Sequence, residues 1–260
     1  MKPMVIKLSG RVLDQPTTAS SLWSVIASAS KNRPIVLMHG GGKQVDALLH
    51  RLGEQTTRVD GIRVTPDSQI DLVSGVLAGQ VSLRLVGALK AAGAAAVGLS
   101  LGDAGMLECR QADPDLGRVG MLQQTNAELL GTLLAAEYLP VVNSIGLDKN
   151  GGPLNVNADD AAVAIAVSLG ASELLYISDV PGLLDEANDV IATVNHDQVE
   201  TLVHGGVAKD GMAAKLRSAS DALGGGVDLV RLTDTDGAIK RLMGESFTAT
   251  RIHMESRLLG

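Results

Sequence analysis

Aromatic residues are nearly missing from this chain: Trp23, Tyr138, Tyr176 and Phe247 are the whole supply, 2% of 260 residues. The core must therefore be aliphatic, and a platform on which nucleic-acid bases stack is not expected. Cationic charge is also short, with 22 Lys and Arg against 29 Asp and Glu and a net charge of −7. A phosphate-backbone binder wants a basic face, so no nucleic-acid partner is expected. A few placed lysines can still dominate a pocket for a small anion. Cys109 is the single cysteine, which excludes an internal disulfide and a Cys-cluster metal site. No run of about 18 apolar residues occurs, so no membrane-spanning segment is expected. The first residues, MKPMVIKLSG, read as a strand from Met4 rather than a signal peptide, and a soluble cytoplasmic protein is the expectation.

What remains is 45% apolar and 20% charged, the balance of a globular protein, at a length for one large domain or two lobes sharing a sheet. Short apolar runs at Met4–Leu8, Ile35–Met38, Ala95–Leu99, Leu139–Val142, Leu174–Ile177 and Asp228–Leu232 suit strands. Several lack alternation, as strands buried on both faces do. Helical stripes lie between them. Val45, Leu48, Leu49 and Leu52 share one helix face, and Leu129, Leu130, Leu133 and Leu134 follow a Thr125-x-x-Glu128 capping box. Thr65-Pro66 predicts an N-cap and N1 proline for a helix running through Leu77. The alternation implies an α/β fold, an open and mainly parallel sheet sandwiched by helices in three αβα layers. Gln55–Val64 and Leu107–Met121 are polar and turn-rich, and they suit β-hairpin lids. A lobe boundary is expected near Gly170.

Several polar groups fall where strands end and helices begin. His39-Gly40-Gly41-Gly42-Lys43 follows a strand and opens a helix, so its bare amides suit an anion. Lys7-Leu8-Ser9-Gly10-Arg11 ends the first strand, at the edge where α/β proteins place ligands. Asn155-Val156-Asn157-Ala158-Asp159-Asp160 leads into an alanine-rich helix, with Asn157 a candidate cap. Ser178-Asp179-Val180-Pro181-Gly182 is another strand end, and Lys209-Asp210-Gly211-Met212 opens a helix with Lys215 one turn on. Arg63, after Asp60-Gly61 and Ile62 in the hairpin, suits a bidentate grip on a carboxylate. Together these point to phosphoryl transfer by positioning and charge neutralisation. No Ser/His/Asp constellation is present. His50, His196, His204 and His253 lack ligand spacing and read as surface or structural, and Asp67 and Asp71 read as solvated.

The stretches HGGGKQVD (39–46), DGIRVTPD (60–67), PVVNSIG (140–146), LNVNADDAA (154–162), ISDVPGLLD (177–185) and KDGMAAKL (209–216) resemble, in register, the amino acid kinase family. The resemblance covers essentially the whole chain. It implies the amino acid kinase fold and an ATP-dependent kinase that phosphorylates the γ-carboxylate of N-acetyl-L-glutamate, a step of arginine biosynthesis. Relatives acting on glutamate, aminoadipate, aspartate or carbamate, or a non-catalytic ATP-binding regulator, are the alternatives. By the same resemblance Lys7 and Lys215 would stabilise the transferring group, and Asp159 would hold both lysines. Gly41 and Gly42 would donate amides to substrate, and Arg63 and Asn155 would bind the end carrying the α-carboxylate. Ser9, Gly10, Asp179, Val180, Pro181, Gly182, Leu183, Leu184, Val207, Ala208, Lys209 and Gly211 would form the ATP site. Magnesium would be held by ATP phosphates and water, with no protein ligand. Residues 1–171 would be the acetylglutamate-binding and dimerisation lobe and 172–260 the ATP lobe. Ser9 stands where the family has the first of two glycines; its side chain either crowds the phosphate turn or adds a hydroxyl donor. Ala249-Thr250 replaces a common Gly-Thr. A start at the first strand, without the extra helix of arginine-inhibited hexamers, implies a homodimer without arginine feedback.

Overall fold

The computed structural model describes residues 1–9, 12–14, 16–59 and 61–254. An eight-stranded sheet runs through its centre. Its order is Thr193–Asn195, Thr250–His253, Val230–Thr233, Glu173–Ile177, Met4–Leu8, Ile35–His39, Leu139–Asn143 and Ala96–Ser100. Every neighbouring pair is parallel except Val230–Thr233 with Thr250–His253. This is the mainly parallel αβα arrangement expected from the alternating runs.

The strands sort their side chains by period two. Val5, Val36, Met38, Val142, Leu174 and Tyr176 face one core. It is closed by Ala161, Ala162 and Ile165 of the helix Ala158–Ser168 and by Leu216 and Ala219 of Asp210–Gly224. Met4, Ile6, Leu8, Ile35, Leu37, Val141, Leu175 and Ile177 face the other core, under Leu22 and Ile26 of the helix Pro16–Ser30. Each such aliphatic side chain stabilises the fold by about 1.5–3 kcal/mol on burial, so burial on both faces supplies the core that rings do not.

Three local expectations are corrected. The helix after Thr65 begins at Asp67, and Thr65 Oγ1 donates to the Arg63 carbonyl instead of capping it. It does not stop at Leu77. It passes through a π-helical stretch, Gly75–Val81, into Ser82–Ala91, because Val76, Leu77, Val81, Leu85 and Leu89 stay buried on one side. This continuous helix, Asp67–Ala91, is by length and composition alone apolar enough to cross a membrane, which the run-length reading does not register. The capping box at Thr125 does not form. Thr125 is the last residue of the strand Val119–Thr125, and Asn126 Oδ1 accepts the amide of Glu128 at 2.9 Å.

The two hairpins form, at Arg58–Val59 with Ile62–Arg63 and at Leu107–Gln111 with Val119–Thr125. The second is half of a larger unit. With Ile145–Leu147 and Pro153–Val156 it closes a four-stranded barrel beside the sheet. The barrel is stitched to the first hairpin at Thr65, whose carbonyl accepts the Arg118 amide at 2.6 Å. Gly117 has φ of +69°, and a Cβ there would strike the Thr65 carbonyl, so the seam requires glycine.

Candidate active site

Lys7 is the last residue but one of a buried strand, on the face that packs beneath the helix Ala158–Ser168. Asn157 starts that helix: its side-chain oxygen accepts the Asp159 amide at 2.8 Å, so it is the cap. Asp159 is thereby fixed in the first turn, where the helix dipole favours a negative charge. Its Oδ1 lies 2.6 Å from Lys7 Nζ, and its Oδ2 accepts from Lys215 Nζ at 3.4 Å. Lys7 is 7% exposed and Asp159 9%. Burial pushes the Asp159 carboxyl up, but the two ammonium groups outweigh it and hold the group below the ordinary carboxylate range.

These residues line one cleft of about 670 Å³ together with Gly40, Gly41, Gly42, Arg63, Asn155 and Gly211. The glycine turn is tightly backed. A Cβ on Gly41 would come within 2.7 Å of Leu77 Cδ2 and 3.2 Å of Val81 Cγ2. Gly42 is the first residue of the helix Gly42–Arg51. His39, beneath the turn, is fully buried; its Nδ1 lies 2.8 Å from the Gly40 carbonyl, and burial holds its pKa down.

The far end of the cleft is organised by Asp46. Arg58 Nη2 and Arg63 Nη2 each lie 2.7 Å from one of its oxygens. Burial raises the Asp46 pKa, and the two guanidiniums more than reverse this. Arg63 Nη2 also donates to the Gly42 carbonyl at 2.9 Å, while its Nη1 is buried without a hydrogen-bond partner. Asn155 Nδ2 donates to Thr65 Oγ1 at 3.0 Å. Sequence reasoning missed Arg58 and Asp46. The available signal was Asp46 four residues after the last of the three glycines, with two arginines placed symmetrically about the Asp60-Gly61 turn. Arg58 and Arg63 are cross-strand partners.

The residues expected at ATP divide. Gly211 lines the cleft, while Asp179, Val180, Pro181, Gly182, Leu183, Leu184, Val207, Ala208 and Lys209 do not. Leu183 is buried, its amide donating to Thr250 Oγ1 at 2.7 Å, and Gly182 is packed against the same hydroxyl. Pro181 borders a separate hollow of about 440 Å³ with Asp236, Lys240 and Phe247. Val207 and Ala208 form the turn before Lys209, which caps the helix Asp210–Gly224. Ser9 donates its amide to the Ile177 carbonyl at 3.1 Å, and its buried hydroxyl has no partner. Gly10 and Asp60 lie outside the described residues. Among the described residues no three His, Cys, Asp or Glu side chains group so as to hold a metal ion. His253 is buried and His50, His196 and His204 lie toward the surface, while Asp67 is 90% exposed.

Fold and cleft define a phosphotransferase-type αβα protein: two lysines on one buried carboxylate, a bare glycine turn and arginines facing one anion-sized space. The model of the amino acid kinase family matches residues 2–234, and the chain belongs to that family. It is 45% identical over 222 residues, 85% of each chain, to an acetylglutamate kinase of Colwellia psychrerythraea. It is 41% identical over 258 residues to an acetylglutamate kinase of Edwardsiella ictaluri, covering 97% of this chain and all of the relative. Among solved structures, smu.665 from Streptococcus mutans superposes with a TM-score of 0.86 at 27% identity, covering 97% of this chain and 99% of the other.

Proposed function

We propose that this kinase transfers the γ-phosphoryl group of ATP to the γ-carboxylate of N-acetyl-L-glutamate, giving an acyl phosphate and ADP. The observation that carries the reading is the pair of lysines on Asp159, Lys7 buried and Lys215 half-buried, facing the glycine turn and Arg63 across one cleft. A γ-carboxylate has a pKa of about 4.3 and is already ionised at neutral pH, so no general base is needed. The obstacle is repulsion between an anionic nucleophile and an anionic phosphoryl group. Lys7, Lys215 and the Gly41 and Gly42 amides are the charges and dipoles that offset it. Arg63, with its spare Nη1, and Asn155 would take the α-carboxylate end. Ser9, Gly10, Asp179–Leu184, Val207–Lys209 and Gly211 would hold the nucleotide.

Magnesium would arrive on ATP and neutralise the phosphates. Asp159 is spent on two ammonium groups and repels no anion by itself, so nucleotide oxygens and water would ligate the ion. The reading extends to a cytoplasmic homodimer with an acetylglutamate lobe, residues 1–171, and an ATP lobe, residues 172–260. The edge strand Ala96–Ser100 and the 73%-exposed Leu83 beside it support a pairing face.

The test is ADP release with N-acetyl-L-glutamate against glutamate, aspartate, aminoadipate and carbamate, with hydroxylamine trapping of the acyl phosphate. Turnover should require the acetylated acid. Preference for any of the others would overturn the substrate assignment.

A further inference from the structure

The helices that carry Asp159 and Lys215 meet at a second polar crossing, which the proposed chemistry does not use. Tyr176 is fully buried and stands directly opposite Lys7 in the parallel register. Its ring packs in the core under both helices. Its hydroxyl is buried short of good hydrogen-bond geometry with any partner, and Ser218 makes only a loose approach to it. Ser218 is 6% exposed and lies three residues after Lys215, on the same side of its helix. Ser218 also acts on Asp160, the neighbour of Asp159, easing the upward push that burial gives its carboxyl. Tyr176, Ser218 and Asp160 thus form a loose polar cluster at the same two helices that Lys215 and Asp159 link.

Packing alone does not call for this hydroxyl. A buried polar group left without a partner costs stability, and phenylalanine would fill the same volume without that cost. The bridge above it is correspondingly loose. The Lys215–Asp159 separation of 3.4 Å exceeds the roughly 2.8 Å of a good charge-assisted hydrogen bond, whereas Lys7 is already at 2.6 Å. We infer that Tyr176 is a positioning residue: acting through Ser218 and Asp160, it sets the helix spacing that keeps Lys215 loosely held and free to swing to the transferring phosphoryl group. The inference rests on the phosphoryl-transfer reading of the cleft.

The experiment compares Tyr176→Phe, Ser218→Ala, Ser218→Thr and the Tyr176→Phe/Ser218→Ala double variant. Steady-state ADP release and thermal unfolding are measured on the full chain. Tyr176→Phe should lower kcat about tenfold, with KM for both substrates within about twofold and Tm equal or higher. Ser218→Ala should give a similar loss, Ser218→Thr should retain activity, and the double variant should lose no more than either single one. A kcat within about twofold of the unmodified chain in Tyr176→Phe would overturn the inference. So would a kcat loss that follows a fall in Tm, or losses that multiply in the double variant. An unmodified chain that releases no ADP would sink the reading of the cleft itself, which separates the two failures.

Discussion

Replacing Asp159 by asparagine keeps the shape of the side chain and removes the one charge between two ammonium groups, that of buried Lys7 and that of half-buried Lys215. At separations of 2.6 and 3.4 Å, an effective dielectric of about 20 gives gross attractions of roughly 6 and 5 kcal/mol. Desolvation of the three ions offsets much of that, and losing one partner of a buried ion cluster costs about 3–5 kcal/mol in practice. For a chain of this size that is a fall in Tm of about 6–20 °C. The sign with pH follows from the depressed Asp159 pKa. Its contribution is complete above the unfolded carboxyl pKa, about 3.9, and is lost as pH falls through the lower folded value. The Tm gap between the two proteins should therefore be full from pH 5 to 7, by about these limits, and narrow in acid. Turnover should fall about 100- to 1000-fold, the cost of removing one preorganised electrostatic group, because two unneutralised lysines repel one another out of position. The assays are coupled ADP release and thermal unfolding at several pH values. A variant that kept turnover within about threefold, or lost no stability at neutral pH, would refute the reasoning.

Lys7→Ala should lose turnover by a similar factor and lower Tm while keeping the same fold, because the strand keeps its ladder but Asp159 loses its nearer partner; near-normal ADP release would remove its proposed role. Arg63→Ala should raise KM for acetylglutamate at least tenfold, on the scale of about 1–3 kcal/mol for a charged hydrogen bond, with KM for ATP unchanged. Arg58→Ala, at a more exposed partner of Asp46, should show the same pattern at about threefold, and a reversed order of the two would mean that Arg58 holds the substrate. Gly41→Ala forces a methyl group toward Leu77 and Val81, so overpacking of about 1–3 kcal/mol should appear as a Tm loss together with weaker acetylglutamate binding. Unchanged Tm would mean that the turn yields freely.

Thr193–Asn195 and Thr250–His253 left no readable run, but the other six sheet strands were legible, most of them because double burial writes itself into the chain as uninterrupted aliphatic runs. Only their ends moved: Ile35–Met38 extends to His39, and Asp228–Leu232 resolves to Val230–Thr233. The long helix was cut short on paper because Gly75 and Gly79 weaken the helical pattern, while the tertiary contacts of Val81, Leu85 and Leu89 carry it onward. The barrel was illegible for a different reason. Ile145–Leu147 and Pro153–Val156 are too short to carry a period, and they become strands only by pairing with residues up to about forty positions away. The same non-locality hid Asp46. On its own helix it is an ordinary second-turn carboxylate, and it acquires a function only when the hairpin folds Arg58 and Arg63 onto it. The Tyr176 hydroxyl leaves no trace in the sequence, because its significance is a missing partner.

One device recurs at the two ends of the cleft. Asp159 gathers Lys7 and Lys215, and Asp46 gathers Arg58 and Arg63; in each case one carboxylate arranges two cations and leaves a net positive charge. An acidic chain of net charge −7 thus presents Lys7, Arg58, Arg63, Lys215 and Arg217 around a cleft in which Asp159 is the one lining carboxylate among the described residues. The carboxylates solve a problem the cations cannot solve alone. Bare lysines and arginines packed this closely would repel and reorient, and each would then have to be realigned when the substrate arrived. Held on a shared counter-ion, they meet the incoming anions already aimed, and the reorganisation that would otherwise oppose transfer has been completed during folding.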